Sequence, residues 1–266
     1  MAVMTCNYFS FVMKHNVTVN VFVPTPEGNE QIVNEETKKQ YRYQEGLPVV
    51  YLLHGAYGNY SSWLRFSNVE RYAQNHCCAL VMASADNNFY QDMVHGPAYH
   101  TFFTQELPEF VKSLFPVSKK REDTFVAGFS MGGYGAWYLA LSSPDQYAKA
   151  ASLSGALDIA GAYADGVDHK IDSPFPWGDI FEHPDSLAGS NADLFKLYDD
   201  CVRAGTVPKL YQACGKDDFL YTMNLSVKKI MEQKDADLVF EEGEGAHTWD
   251  FWDTYIQHAL DWMFQA

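Results

Sequence analysis

Residues 124–136 read TFVAGFSMGGYGA and join a short, mostly apolar run to a glycine-rich turn. The run suits a buried strand, and a helical pattern follows the turn. Between them lies the pattern G-x-S-x-G, at Gly128, Ser130 and Gly132. Glycines two residues before and after a serine permit the close backbone approach that a sharp strand-to-helix turn requires. The stretch therefore predicts an exposed serine nucleophile between a strand and a helix.

Other short apolar runs, each bounded by turn residues, occur along the chain. Together with an alternating segment at 17–23, they predict strands at 48–53, 79–83, 124–127, 150–153, 207–213 and 238–241. Helical periodicity lies between the strands, at 105–115, 136–141, 193–202, 219–231 and 251–264. We therefore predict an α/β chain with a mostly parallel, doubly wound sheet flanked by helices. No linker divides residues 1–266, so we expect a single domain.

One segment interrupts this alternation. Residues 158–190 follow a predicted strand and are rich in Gly, Pro, Asp and aromatic residues. A loop of this length inside a compact domain is usually functional. We expect an insertion that acts as a lid or lines a pocket.

Composition excludes several classes of function. The formal net charge is −15, which disfavours binding to nucleic acid or to an anionic membrane surface. No apolar run is long enough to span a bilayer, and no secretory signal precedes the first strand. The five cysteines are odd in number and lack CxxC spacing, which argues against a disulfide framework or a zinc site. We expect a cytoplasmic protein that needs no metal or cofactor.

A serine hydroxyl needs a base, and in strand–turn–helix nucleophiles the acid and then the histidine follow the serine in the chain. Four histidines follow Ser130: His169, His183, His247 and His258. The first two lie in the insertion and the last lies inside the final predicted helix. His247 lies in a loop after the last predicted strand, where the base is expected.

The acid is expected at the carboxyl end of the preceding strand. Asp217 and Asp218 both follow the run at 207–213, and their spacing does not distinguish them. One of the two could cap the next helix while the other orients the imidazole.

An oxyanion hole requires two backbone N–H groups. The first is expected from Met131, the residue after the nucleophile, and the second from the loop after an earlier strand. The sequence His54-Gly-Ala-Tyr-Gly58 fits that loop, and its donor is Ala56 or Tyr57. We expect His54 to be a structural side chain rather than a second base.

Taken together, these stretches resemble the esterase D-like branch of the α/β-hydrolases, and the bacterial tributyrin esterases in particular. The branch also includes S-formylglutathione hydrolases and feruloyl and acetyl-xylan esterases. The matching stretches span most of the chain in the family's order: LLHGAYGNYSSW at 52–63, SADNNFY at 84–90, ELP at 106–108, GFSMGGYGA at 128–136, CGKDDFLY at 214–221 and GAHTWDFWD at 245–253.

The resemblance implies an α/β-hydrolase fold, with Ser130 as nucleophile and His247 as base. It favours Asp218 as the acid, because the family's aspartate stands directly before Phe-Leu. It also implies that the N–H groups of Ala56 and Met131 form the oxyanion hole. Tyr57 and Trp177 are the pocket residues that we predict, although the insertion carrying Trp177 gives no residue-by-residue match.

The main hypothesis is a serine carboxylic-ester hydrolase that acts through an acyl-enzyme on short-chain esters, including acetyl or feruloyl esters of plant polysaccharide. Acyl transfer to a sugar or alcohol is one alternative. A thioesterase of the S-formylglutathione hydrolase type is another, although that group's loop differs from His-Gly-Ala. A non-enzymatic binding module would normally lack one of the three residues. The family suggests a homodimer or homotetramer.

Overall fold

The computed structural model describes residues 1–26, 41, 43–164 and 175–265. Eight strands form one sheet in the order β1-β2-β4-β3-β5-β6-β7-β8. Their bounds are β1 Ala2–Ser10, β2 His15–Val23, β3 Val49–Leu53, β4 Ala79–Ala83, β5 Thr124–Phe129, β6 Lys149–Leu153, β7 Lys209–Gly215 and β8 Leu238–Gly243. Pairings β1–β2 and β2–β4 are antiparallel, and all others are parallel. The predicted mostly parallel α/β sheet is therefore confirmed.

The α-helices lie between and after these strands. Their bounds are α1 Ser62–Phe66, α2 Val69–Asn75, α3 Tyr99–Thr101, α4 Leu107–Leu114, α5 Met131–Ser142, α6 Ile159–Ala164, α7 Trp177–Ile180, α8 Leu194–Ala204, α9 Tyr221–Gln233 and α10 Trp249–Phe264. A π-helical turn, Phe102–Glu106, joins α3 to α4. Pro108 stands at the start of α4, directly after the π-helical turn, and has no N–H to donate to a carbonyl of that turn.

Both faces of the sheet are buried at its central strands. Alternate residues of β3 point to opposite sides, so Val49 and Tyr51 belong to one apolar cluster and Val50 and Leu52 to another. All five residues of β3 are buried, as are all five of β4. Strands covered on both faces read as continuous apolar runs, which is why the sequence located them.

Two parts of the structure differ from the sequence-based expectation. Residues 158–190 are not one long loop, because they contain α6, α7 and a 3₁₀ turn at Pro184–Ser186, although 165–174 lie outside the described residues. The sequence also missed β1, an edge strand on which Val3 and Phe9 are exposed rather than buried.

The parallel strands place the site. Strands β3, β5, β6, β7 and β8 run in the same direction, so their carboxyl ends meet at one edge of the sheet. The loops after β3, β5, β7 and β8 carry the residues that the sequence singled out. Ligands bind at this edge in open α/β sheets.

Candidate active site

Ser130 lies in the turn between β5 and α5, with φ 56° and ψ −123°. A residue with a side chain rarely adopts a positive φ, and such strain is typical of functional sites. The N–H of Ser130 donates to the Leu153 carbonyl at 2.9 Å, and the Ser130 carbonyl accepts from Gly133 and Tyr134. These bonds fix the strained backbone.

The two flanking glycines are required by close backbone contacts. A Cβ at Gly128 would lie 2.1 Å from the carbonyl oxygen of Gly132. A Cβ at Gly132 would lie 2.5 Å from the carbonyl oxygen of His54. The G-x-S-x-G pattern therefore brings the turn against both the following helix and the loop after β3.

His247 lies between a serine and a carboxylate. Its Nε2 is 2.9 Å from Ser130 Oγ, and its Nδ1 is 2.9 Å from Asp218 Oδ2 and 3.0 Å from Oδ1. With the proton on Nδ1, the imidazole donates to Asp218 and accepts from the Ser130 hydroxyl. This arrangement suits proton transfer from the serine.

The loops after β7 and β8 are joined by backbone contacts. The Asp217 N–H donates to the Gly245 carbonyl at 3.0 Å. A Cβ at Gly215 would lie 2.1 Å from that same carbonyl oxygen, so the loops pack closely only with glycine there. This packing brings Asp218 next to His247.

The structure distinguishes the two candidate acids. Asp218 is buried and contacts His247, whereas Asp217 is exposed. Burial alone would raise the pKa of Asp218, but hydrogen bonds from His247 and from the Leu220 N–H, at 2.8 Å, outweigh burial and hold that pKa below its ordinary value. The carboxylate is therefore ionised at neutral pH.

Two aromatic rings flank the imidazole. The Phe219 ring centroid lies 4.4 Å from that of His247, and the Trp252 ring stands perpendicular to the imidazole at 5.0 Å. Phe219 is otherwise 75% exposed, so its position over the imidazole is its main contact with the site. The two rings limit rotation of the imidazole.

Backbone contacts distinguish the two candidate oxyanion donors in the loop after β3. Tyr57 donates its N–H to Asn87 Oδ1 at 2.8 Å, so that donor is already used. The N–H groups of Ala56 and Met131 have no acceptor among the described residues, and both residues line the cavity beside Ser130. Of the two alternatives after β3, the geometry thus favours Ala56.

His54 supports the loop from inside the protein. Its Nε2 accepts from the Ala85 N–H at 2.9 Å, which places the proton on Nδ1, and Nδ1 donates to the Gly55 carbonyl at 2.7 Å. Burial lowers the pKa of His54. Both ring nitrogens are occupied, so His54 has no free nitrogen with which to act as a base.

A cavity of about 740 Å³ opens above Ser130 and His247. Most of its wall is apolar, formed by Phe89, Phe129, Ile159, Phe175, Met223 and Trp252. Tyr57 lies on the cavity wall as predicted and is 78% exposed, which places it at the rim.

The structure does not place Trp177, the other predicted pocket residue, on the cavity wall. It is buried behind the wall, with its ring 5.2 Å from Phe89 and 5.9 Å from Phe175. The residues of the insertion that line the cavity are Asp158, Ile159, Gly161, Ala162 and Phe175. Aromatic character alone could not tell a wall residue from one that supports the wall.

Of the other histidines after Ser130, the two that the structure describes make no hydrogen bond to it. His258 lies on α10, where its Nδ1 is 2.7 Å from Glu241 Oε2. His183 precedes the 3₁₀ turn of the insertion. His169 lies outside the described residues.

Sequence reasoning missed several residues of the site, among them Asn87 and Phe219. Asn87 was quoted within the stretch SADNNFY but was given no role, and Phe219 was quoted only as the residue after Asp218. Their position at the carboxyl ends of β4 and β7 was the available signal.

Residues 1–26, 41, 43–164 and 175–265 lack both a metal-binding cluster and a membrane-spanning helix. No group of three or more His, Cys, Asp or Glu side chains is arranged to hold a metal ion. None of the helices there combines the length and apolarity needed to cross a bilayer.

A mostly parallel sheet with a serine in a strained turn after β5 and a histidine after its last strand defines the class of α/β-hydrolases. The Esterase family model matches residues 12–263, and the chain belongs to this family. The predicted fold and the predicted resemblance to esterases are confirmed, and the chain is an esterase.

Three similar proteins illustrate the relationship. An acetyl esterase of Caldicellulosiruptor saccharolyticus is 34% identical over 268 residues, which cover 99% of this chain and 98% of that protein. A substrate-bound fluorophosphonate-binding serine hydrolase of Staphylococcus aureus is 31% identical, with a TM-score of 0.83 and coverage of 100% and 99%. An S-formylglutathione hydrolase of Staphylococcus aureus is 31% identical, with a TM-score of 0.82 and coverage of 99% of both chains.

Proposed function

We propose that this esterase hydrolyses short-chain acyl esters, acetyl esters above all, through a covalent acyl-enzyme on Ser130. The observation that carries the proposal is the position of His247, whose Nε2 is 2.9 Å from Ser130 Oγ while its Nδ1 is 2.9 Å from Asp218 Oδ2. A serine in this environment can lose its proton as it attacks.

The first half-reaction forms the acyl-enzyme. Ser130 Oγ attacks the ester carbonyl carbon while His247 Nε2 takes the hydroxyl proton. Asp218 holds the imidazole in the correct tautomer and stabilises the imidazolium. The N–H groups of Ala56 and Met131 donate to the oxyanion, and each such donor contributes about 3–4 kcal/mol in characterised enzymes. The tetrahedral intermediate then expels the alcohol, which receives the proton from His247.

The second half-reaction releases the acid. Water gives a proton to His247 and attacks the acyl carbon, and collapse of the second intermediate returns the proton to Ser130. The net reaction consumes one ester and one water and yields an alcohol and a carboxylic acid. No step requires a metal or a cofactor.

The substrate class is supported by the cavity and by one relative. The apolar wall suits an acyl chain or an aromatic group, and its volume of about 740 Å³ suits a small ester or a short oligosaccharide ester. One relative is named acetyl esterase, and this name supports acetyl esters as substrates of this chain. Acetyl or feruloyl groups on plant polysaccharide are the natural esters that we propose to test.

Two experiments test this proposal. A fluorophosphonate probe should label the wild-type protein but not the Ser130→Ala variant. The control is Ser113→Ala, which removes an exposed serine and should still be labelled. A series of p-nitrophenyl esters, run beside methyl ferulate and acetylated xylan, should give the highest kcat/KM for the short acyl chains. A preference for long chains would contradict the short-acyl assignment.

Thioester hydrolysis is a second candidate, because one relative is named S-formylglutathione hydrolase. The same attack and the same oxyanion would serve a thioester. Comparing kcat/KM for S-formylglutathione and for p-nitrophenyl acetate distinguishes the two, and we expect the ester to be preferred.

Acyl transfer to a sugar or alcohol differs only in the group that accepts the acyl chain. Product analysis with an added alcohol should give mainly free acid if hydrolysis dominates. A binding module without activity is the non-enzymatic alternative, and a folded sample that fails to react with the fluorophosphonate would favour it.

A further inference from the structure

The wall of the cavity contains one acidic side chain that the proposed mechanism does not use. Asp158 lines the cavity together with Ser130 and His247. It follows β6 and precedes α6, so it stands at the carboxyl edge of the sheet. Among the described residues of that wall there is no lysine or arginine, and Asp158 is the only carboxylate.

The Asp158 carboxylate is held by the backbone of α6. Its Oδ1 accepts from the Gly161 N–H at 2.8 Å, and the Asp158 carbonyl accepts from the Ala162 N–H at 3.0 Å. A Cβ at Gly161 would lie 2.5 Å from Asp158 Oδ2, so the backbone reaches the carboxylate only because this residue is glycine.

One oxygen of this carboxylate is available to a ligand. Across the described part of the chain, Asp158 Oδ2 has no hydrogen-bond donor, and no lysine or arginine forms an ion pair with Asp158. An ionised carboxylate beside a largely apolar wall repels another anion more strongly than it would in open water, because the effective dielectric constant there is lower. The same oxygen is a good acceptor for a hydroxyl group.

We propose that Asp158 is a specificity-determining residue that selects neutral, hydroxyl-bearing esters and rejects anionic ones. This inference rests on the proposed ester hydrolysis at Ser130. Substrate anions are repelled by Asp158 within the cavity, whereas a sugar hydroxyl can donate to Oδ2. A partly acetylated sugar satisfies both conditions, and a glutathione thioester, which carries carboxylates, does not.

The test compares each anionic ester with a neutral ester of similar shape. Mono-p-nitrophenyl succinate carries an anion on the acyl side. Its neutral counterpart is methyl p-nitrophenyl succinate, in which the free carboxylate is a methyl ester. An anion on the alcohol side is supplied by 4-acetoxybenzoate, with 4-acetoxybenzamide as its counterpart. The measured quantity is the ratio of kcat/KM for the anionic ester to kcat/KM for the neutral ester. Comparing this ratio between variants cancels the intrinsic reactivity of each ester.

Asp158→Asn removes the charge and keeps an oxygen that can accept from Gly161. It should raise the ratio about tenfold for at least one of the two pairs, because a like-charge contact at short range is removed. The pair that responds identifies the side of the ester that faces Asp158. Asp158→Ser, which also keeps a capping oxygen, should do the same and serves if the asparagine variant does not fold.

Glu122→Gln is the matched control. Glu122 is exposed and lies in the 3₁₀ turn Arg121–Asp123 before β5, at the opposite edge of the sheet, so its removal changes the net charge equally without touching the cavity. Its ratio should equal that of the wild type. An equal change in Glu122→Gln would assign the effect to overall charge, and an unchanged ratio in both Asp158 variants would overturn the proposal.

The hydroxyl contact has its own readout. The readout is the ratio of kcat/KM for a monoacetylated methyl xyloside to kcat/KM for its deoxy analogues, which lack one hydroxyl. Asp158→Asn should lower this ratio. An unchanged preference would remove hydroxyl recognition from the proposal. If the wild type does not hydrolyse the neutral esters, the proposed function fails instead, and that result is distinct from failure of the Asp158 assignment.

Discussion

The N–H of Tyr57 donates a hydrogen bond to Asn87 Oδ1 over 2.8 Å, which fastens the loop after β3 to the loop after β4. The two residues are 30 positions apart in the chain. Because this bond occupies the Tyr57 N–H, Ala56 is the one of the two candidate donors whose N–H has no acceptor among the described residues. Asn87 thereby fixes the backbone whose N–H we propose as an oxyanion donor.

Asn87→Ala should therefore reduce kcat about tenfold and change KM little. The loss of one hydrogen bond loosens the donor rather than removing it, so the effect should be smaller than deletion of a whole donor, which costs about a hundredfold or more. Steady-state kinetics with p-nitrophenyl acetate measure both constants. Asn191→Ala, an exposed asparagine at a distance from the cavity, is the control. An increase in KM alone would place Asn87 in substrate binding instead.

Asp218→Asn should lower kcat by roughly 10³–10⁴ while the protein stays folded, because an amide favours the wrong imidazole tautomer. Asp217→Asn tests the neighbouring carboxylate, which is exposed, and should lower kcat less than about threefold. The measurement is kcat at neutral pH, with circular dichroism to verify folding. A larger loss in the Asp217 variant would exchange the roles of the two residues.

Gly128→Ala should destabilise the protein by about 1–3 kcal/mol, because its Cβ would lie 2.1 Å from a backbone oxygen that cannot move independently. Gly178→Ala is the matched comparison, since no heavy atom lies within 4 Å of the added Cβ. It should be neutral or should stabilise α7 by up to about 1 kcal/mol. Urea unfolding of the two variants and the wild type gives the free energies. Equal effects of the two substitutions would contradict the close contact at Gly128.

His54 should make stability depend on pH. Burial lowers its pKa in the folded protein from the ordinary value of 6.5, so below that pH the unfolded chain binds a proton that the folded chain does not. The stability contributed by neutral His54 is therefore complete above pH 6.5 and is lost as the pH falls toward the folded-state pKa. At pH 5.5 the loss reaches at most about 1.4 kcal/mol.

Urea unfolding at two pH values tests this coupling. The difference in unfolding free energy between wild type and His54→Asn should be smaller at about pH 5.5 than at about pH 7.5. The decrease should be at most about 1.4 kcal/mol. His15→Asn, at an exposed histidine, controls for other effects of losing an imidazole. A difference that stays constant with pH would show that His54 is not buried in its neutral form.

The sequence predicted the sheet well because burial on both faces leaves a simple signal. β3 and β4 are buried at all ten positions and appeared as uninterrupted apolar runs. The sequence did not predict β1, for the opposite reason. Its exposed face carries the apolar side chains Val3 and Phe9, which obscure the alternation of apolar and polar residues. Helix α5 was predicted to start at residue 136 but starts at Met131, because packing overrides the low helix propensity of its three glycines.

The site was predictable where it depends on chain order and not where it depends on side-chain packing. Ser130 and His247 follow their strands in the expected order, and the structure brings them together with Asp218. The choice of Ala56 over Tyr57 depends on a contact with Asn87 that no spacing rule describes. Likewise, only the packed structure separates Trp177 from the wall that it supports.

The most direct test of the account is to trap the acyl-enzyme. Rapid mixing of the protein with p-nitrophenyl acetate should give a burst of p-nitrophenol equal to the concentration of active sites, if release of acetate limits turnover. Acid quenching followed by peptide mass spectrometry should then find one acetyl group, on Ser130. Ser130→Ala should show neither the burst nor the adduct. An acetyl group on another residue, or full turnover by Ser130→Ala, would contradict the assignment of Ser130 as the nucleophile.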